Sequence, residues 1–346
     1  MNTEIIAVTS PKEWEQFLAL PRLIYSGKEL AKLTPPEIIR RKFDRHYNPF
    51  LAHIKWIAFL ARGKKQPLGR IVASIDYMCP HPTWGFFGFF ECVEEESIAR
   101  GLILAVTNWL LQHNKLTIYG PISLSTSDNL GCLVEGFNEV NPFYLPYNPP
   151  YYNKLLINSG FETSHDLYAY SWHNSQELSE RIIRIGQRLE KSAQVNVRPV
   201  NYRQLKEEAR FLHDIYNQAM VNNWGHTPLT EEEACFILAS HRRLIPPEYF
   251  LWAEVEGKPV GLCMALPNFK IRALRLILLA VKPDFSHLGL SAILIKTIME
   301  IARQDKINYG ELSFVQAQNA VVNKLIRQDT GSIVTKRYRL YKKTCE

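Results

Sequence analysis

Two stretches almost two hundred residues apart share one pattern. LARGKKQPLGRIVA at 60–73 and AEVEGKPVGLCMA at 253–265 each read strand, turn, proline, one aliphatic residue, glycine, strand. A chain that repeats a strand–turn–strand signature at this separation is constrained to build one unit twice, and 346 residues suit two domains, each large enough for its own core. The flanking patterns agree. In the first half, 11–45 reads as mainly helical, followed by a hairpin turning at RGKKQP, an aromatic strand WGFFGFFEC, the helix EEESIARGLILAVTNWLLQHN and the strand KLTIYGP. In the second half come a strand start at NVRPV, two helices, the hairpin turning at EGKP, the strand ALRLILLAV, a helix to Gln304, the strand GELSFVQ, the helix NAVVNKLIRQDTG and the strand TKRYRLYKK. Strands interleaved with helices in this way predict an α/β (α+β) fold.

Within the second half one junction stands out. ALRLILLAV, then KPDFSHLGLS, then AILIKTIMEIARQ reads as a buried strand, a tight loop with one glycine, Gly289, and a helix with apolar residues at helical spacing. Such a junction aims unpaired backbone N–H groups and the positive end of the helix dipole at one point, which suits a phosphate or pyrophosphate.

Composition narrows the rest. With 46% hydrophobic and 22% charged residues the chain is globular, and no apolar run approaches the ~20 residues of a membrane span. The N-terminus lacks the pattern of a secretory signal, and the six cysteines are too scattered for a zinc site or a disulfide scaffold, so a cytoplasmic location and no metal are expected. Lys+Arg balance Asp+Glu at 16 each through Trp172, whereas from His173 onward they stand at 25 against 18, which predicts that an anionic ligand is drawn to the C-terminal half. No nucleic-acid-binding motif is visible.

VKPDFSHLGLS, ELSFVQAQN followed by a helix, Gly331 and KRYRLY resemble the loop, strand, helix and last strand of the GNAT acyltransferase superfamily. YGPISLSTSDNLGCLVEGF and LPYNPPYYNKLLINSGFETSHDLYAY in the first half resemble segments of bacterial tandem-GNAT proteins, so the likeness spans nearly the whole chain. It implies two tandem GNAT-like domains, each a mixed, mostly antiparallel sheet flanked by helices: residues 1–172 as a degenerate copy that shapes the acceptor site or braces its neighbour, 173–194 as a connecting helix or linker, and 195–346 as the acyl-CoA-binding domain.

The resemblance also implies the chemistry, in which an acyl group passes from coenzyme A, or from a carrier protein, to a primary amine of a small molecule or peptide. The pyrophosphate would rest on Ser286, His287, Leu288, Gly289, Leu290 and Ser291. The thioester would enter between the splayed strands KPVGLCMALP and RALRLILLAV, its oxygen meeting a backbone N–H of Leu279, Ala280 or Val281. Where the family carries a basic or amide residue and a second small residue in the loop, this chain has Ser286 and Ser291. The first-half counterpart, CVEEES, places Glu94, Glu95 and Glu96 where they would repel a pyrophosphate.

An amine is protonated at neutral pH, so a carboxylate or a water chain must take its proton, and Glu311 and Glu254 are the candidates. A general-acid tyrosine stands in many GNAT enzymes seven residues after the asparagine that opens the last helix. Here Asn319 opens that helix and position 326 is isoleucine, which leaves Tyr338 and Tyr341 of the final strand as phenols for the departing thiolate. Asn319 is a helix cap or a contact of the pantetheine arm. Trp224 and His226 lie where GNAT enzymes place acceptor-binding elements, and Asp128 with Asn129 is either an amine site or turn material. Cys263, in an apolar run, is a core residue. Ser286, Ser291 and Ile326 leave open a second reading, a catalytically silent tandem GNAT that binds a metabolite or partner.

Overall fold

The computed structural model describes residues 3–345. It divides into two compact units, residues 1–167 with 336–346, and residues 168–335. Unit 1 begins with β1 (Glu4–Ala7), α1 (Pro11–Ala19), α2 (Pro21–Ile24), α3 (Gly27–Leu30) and α4 (Pro36–Lys42). The strands β2 (Ile54–Arg62), β3 (Pro67–Asp76) and β4 (Trp84–Cys92), the helix α5 (Glu96–Leu111), and β5 (Thr117–Gly120), β6 (Cys132–Glu135) and α6 (Tyr152–Asn158) follow. The strand β7 (Glu162–His173) leads into unit 2, which holds α7 (Glu180–Glu190), β8 (Val195–Pro199), α8 (Leu205–Met220), α9 (Glu231–His241), β9 (Phe250–Val255), β10 (Lys258–Asn268), β11 (Ala273–Val281), α10 (Leu290–Gln304), β12 (Tyr309–Gln316) and α11 (Ala320–Thr330). The last strand, β13 (Ile333–Thr344), begins in unit 2 and returns to unit 1.

In unit 1 the strands run β1-β2-β3-β4-β5-β13, with β6 beside β13. Alternation along β2 and β3 sets the two layers. Phe59, Ala61, Ile71 and Ala73 face a core built on α5, while Ala58, Leu60 and Val72 face one built with Phe17, Ile39 and Phe43 of the N-terminal helices. In unit 2 the order is β12-β11-β10-β9-β8, mostly antiparallel, with β11 and β12 parallel.

Three expectations change here. The boundary expected at 172/195 is not where contact density divides the chain, because Tyr338 and Tyr341 pair with Leu133 and Gly120 and so place 336–346 in unit 1. The segment 173–194, expected as a connecting helix or linker, is more than a connection, since its helix α7 packs on α10 through a cluster of Trp172, Leu178, Ile182, Ala292 and Met299. Moving 336–346 also redistributes charge. Unit 1 carries 21 Lys+Arg against 17 Asp+Glu and unit 2 carries 20 against 17, so the excess expected in the C-terminal half is shared.

Candidate active site

Unit 2 opens where β11 leaves β12. The two pair from Ala273↔Tyr309 to Leu276↔Leu312 and no further, although β11 continues to Val281 and β12 to Gln316. Antiparallel pairing holds β11 to β10 over its whole length, from Asn268↔Ala273 to Gly261↔Val281, with an irregularity at Met264/Ala265 opposite Leu276 and Leu278. This corrects the strand pair expected to splay. The opening is between β11 and β12, because β10 and β11 are tied together by a hairpin-like ladder whereas β11 and β12 are parallel and joined through α10. Leu279, Ala280 and Val281 lie on the stretch of β11 beyond that pairing, where among the described residues the backbone edge toward β12 has no strand partner.

Beyond Val281 the chain makes a 3-10 turn, Pro283–Leu288, and enters α10 at Gly289. Gly289 has φ +84°, a left-handed conformation that L side chains rarely adopt, and a Cβ there would lie 2.8 Å from Cγ2 of Ile185. The helices α9 and α11 are capped by side chains, Thr230 accepting from the Glu233 N–H and Asn319 from the Val322 N–H, but α10 has no side-chain cap. Ala292 N–H donates to the Gly289 carbonyl at 2.9 Å, and no side chain caps the N–H groups before it, an arrangement that suits an anion. Ser286 donates its hydroxyl to the Pro283 carbonyl at 2.8 Å, tightening the loop rather than projecting from it, and His287 is exposed. Leu288, Leu290 and Ser291 complete the turn.

One basic residue at the loop was not anticipated. Arg188, in the last turn of α7, donates to the Leu288 carbonyl at 3.4 Å and so brings a guanidinium to this loop. The amphipathic run ERIIRIGQRLE announces a helix, but nothing in it says which loop its end meets.

Glu311 stands one register pair inside the opening, opposite Arg275, and is 1% exposed. Ser313 Oγ donates to Glu311 Oε1 at 3.1 Å and itself accepts from Arg275 Nε at 3.1 Å, so the carboxylate is oriented by a hydroxyl that is in turn held by a guanidinium. Glu311 also lines a small, mostly apolar cavity of about 30 Å³ with Leu276, Leu312 and Met299.

Glu254 occupies a different setting. It lies on β9, two strands from the opening, and accepts from Asn196 Nδ2 at 2.9 Å and Arg198 Nε at 2.6 Å; Arg198 also donates to Glu208 Oε1 at 2.9 Å. Trp252 Nε1 donates to the same Glu208, which is 1% exposed. Glu254 thus belongs to a structural ion pair, and not to the opening where a general base is needed. Arg198→Met would strand two buried carboxylates, and a loss of about 3 kcal/mol in urea unfolding is expected. A change under ~0.5 kcal/mol would show the cluster to be worth no more than a surface pair.

The remaining candidates separate by unit. Tyr338 and Tyr341 belong to unit 1, not to the unit that carries the loop. Tyr341 sits in the α5 core, its hydroxyl donating to Asn153 Oδ1, and burial pushes its pKa far above the usual phenol value. Asp128 and Asn129 are also in unit 1. Asp128 accepts from Lys42 and from the Asn129 N–H, the latter at 2.7 Å, which makes the pair turn material carrying a salt bridge. Asn319 caps α11, Ile326 holds the position of the usual tyrosine, and Cys263 is a fully buried core residue. Trp224 and His226 are half-buried on the α8–α9 connection, where the His226 ring lies against Tyr216 and burial lowers its pKa.

Comparison with known proteins agrees with this geometry. Residues 209–331 match the model of the Acetyltransferase (GNAT) family. The chain is 27% identical over 365 residues to Protein YghO of Escherichia coli, covering 94% of this chain and 92% of that protein. It is 26% identical over 380 residues to the bacterial ceramide synthase of Caulobacter vibrioides, covering 99% and 97%. Among solved structures, a tandem GNAT protein from the clavulanic acid biosynthesis pathway superposes with a TM-score of 0.61 at 10% identity, covering 99% of this chain and 98% of that one. A GCN5-related N-acetyltransferase from Sphaerobacter thermophilus gives 0.59 at 14%, covering 99% and 95%. Unit 2 therefore carries a GNAT-family domain, and over its whole length the chain has the tandem-GNAT fold. Among the described residues no helix is long and apolar enough to cross a membrane, and no group of three or more His, Cys, Asp or Glu side chains is arranged to hold a metal ion.

Proposed function

We propose that this protein is an N-acyltransferase that moves an acyl group from a coenzyme A thioester to a primary amine. The observation that carries the reading is the parting of β11 from β12 directly in front of an α10 N-terminus that no side chain caps. The free edge of β11 offers backbone donors to a thioester carbonyl, the α10 N–H groups with Arg188 suit a pyrophosphate, and Gly289 lets the chain come close to it. Glu311 accepts the amine's proton, directly or through one water. The amine nitrogen then forms its bond to the acyl carbon, the carbon–sulfur bond breaks, and water protonates the thiolate in place of the phenol that Ile326 does not supply.

For the acceptor, likeness to a bacterial ceramide synthase along almost the entire length of both chains favours a long-chain amine, and hence a long-chain acyl donor. The second reading, a silent binder, draws on Ser286 and Ile326. Thermal-shift titration with coenzyme A and acyl-CoAs from acetyl to palmitoyl tests the donor, because a ligand of the native state must raise Tm. No shift with any of them would overturn the proposal. A shift without thiol release when a long-chain amine is added would favour the silent binder.

A further inference from the structure

Unit 1 repeats the parting of strands seen in unit 2. β4 and β5 pair from Trp84↔Thr117 to Phe86↔Tyr119, and the Ile122 N–H still reaches the Phe87 carbonyl at 2.7 Å. Beyond that point Phe89, Phe90 and Glu91 of β4 and Ser123 after β5 line a cavity of about 420 Å³, within the usual size of a small-molecule site. Its walls are mainly apolar, with Leu18, Leu33, Ile39 and Phe89 among them. Arg22, Ala31 and Tyr144 are the exposed residues of the lining and mark its mouth.

The charged side chains of the lining are Arg22, Lys42, Arg70 and Glu91. Three of them are neutralised in place. Glu91 Oε1 lies 3.6 Å from Arg70 Nη2, while its Oε2 accepts from Tyr25 at 2.7 Å and from Tyr152 at 2.8 Å. Lys42 donates to Asp128. Glu29 and Lys32 meet the lining residue Tyr147 from outside, its hydroxyl donating to Glu29 at 3.4 Å and Lys32 Nζ standing 4.5 Å from its ring centre, and their charges offset. Arg22 is left. Its guanidinium has no hydrogen bond or ion pair among the described residues, so the mouth of an apolar cavity carries one uncompensated positive charge.

That combination restricts the occupant at both ends. A cationic head would meet like charge at the mouth, and a neutral head gains nothing from it. A carboxylate matches Arg22 in charge and, through the parallel N–H groups of a guanidinium, in shape. Glu94, Glu95 and Glu96 at the start of α5 are outside the lining and repel a pyrophosphate, which disfavours a coenzyme A ester here. We propose that the unit 1 cavity binds a long-chain carboxylate, its chain among Leu18, Leu33, Ile39 and Phe89 and its head at the mouth on Arg22. This site is separate from the acyl-transfer reading and stands whether or not unit 2 transfers acyl groups.

The test uses the full chain at neutral pH and three probes of equal chain length: decanoate, 1-decanol and decylammonium. Calorimetric titration is expected to show saturable binding of decanoate. 1-Decanol should bind about threefold more weakly, the worth of an exposed ion pair, and decylammonium about tenfold or more. Arg22→Glu reverses the charge at an exposed position without touching the core, and is expected to invert the order, so that decylammonium binds more tightly than decanoate. Leu33→Trp fills the cavity from a half-buried position and is expected to abolish binding of all three. No saturable binding of decanoate, binding of 1-decanol or decylammonium as tight as that of decanoate, or an order that survives Arg22→Glu would each overturn the proposal. Decanoate binding undiminished in Leu33→Trp would place the acid outside this cavity and overturn it as well; should that variant not fold, Arg22→Glu decides alone.

Discussion

Gly289→Glu is expected to eliminate the acyl-CoA-dependent rise in Tm while leaving the chain folded. Two effects combine at this position. The first is steric: Gly289 holds φ +84° with Ile185 2.8 Å from where a Cβ would stand, so any side chain must push α7 back or rotate the turn, and the loop amides move with it. A left-handed L-residue costs about 1–2 kcal/mol, which for a domain of this size lowers Tm by only a few degrees. The second is electrostatic. A carboxylate at the start of α10 is favourable for the helix dipole and unfavourable for a pyrophosphate at the same point, the combination that unit 1 already displays in Glu94, Glu95 and Glu96 at the start of α5. Gly289→Ala separates the two effects, because it adds the Cβ without the charge and should weaken binding less. A full acyl-CoA shift in Gly289→Glu would remove the donor from this loop.

Glu311→Gln is expected to lower kcat at neutral pH by roughly 10³-fold with KM for acyl-CoA little changed, the range in which a positioned general base contributes. Glutamine is isosteric, and its amide oxygen can still accept from Ser313 Oγ, so the hydrogen-bonded chain from Arg275 survives. A merely structural carboxylate would respond differently, with a fall in Tm and a loss of acyl-CoA binding. Undiminished turnover in Glu311→Gln would instead direct attention to His226, whose pKa burial on the α8–α9 connection lowers.

Sequence and structure divide this protein along a physical line. Local pattern was enough for the repeated hairpin, the strand–loop–helix around Gly289, the cap at Asn319 and nearly every element of unit 2, because periodicity and capping depend on residues a few positions apart. Glu311 was legible as a candidate, a carboxylate at the start of a strand in the right order of elements. What lay beyond the sequence is whatever depends on register between distant strands and on where a helix docks. Glu254 and Glu311 look alike as strand carboxylates, yet one faces Arg198 two strands away and the other stands at the opening, a difference set by sheet order. Tyr338 and Tyr341 follow unit 2 in the chain but pair in unit 1, since a strand's neighbours are decided by the edge it meets. Arg188 reaches the loop only because α7 packs on α10. The sequence by itself determined that the chain is two copies of one α/β unit with an anion-suited turn in the second. Only the tertiary structure decided which strands part, which charges surround the opening, and that the first copy has a cavity of its own, because these follow from burial and pairing between segments that share no local signal.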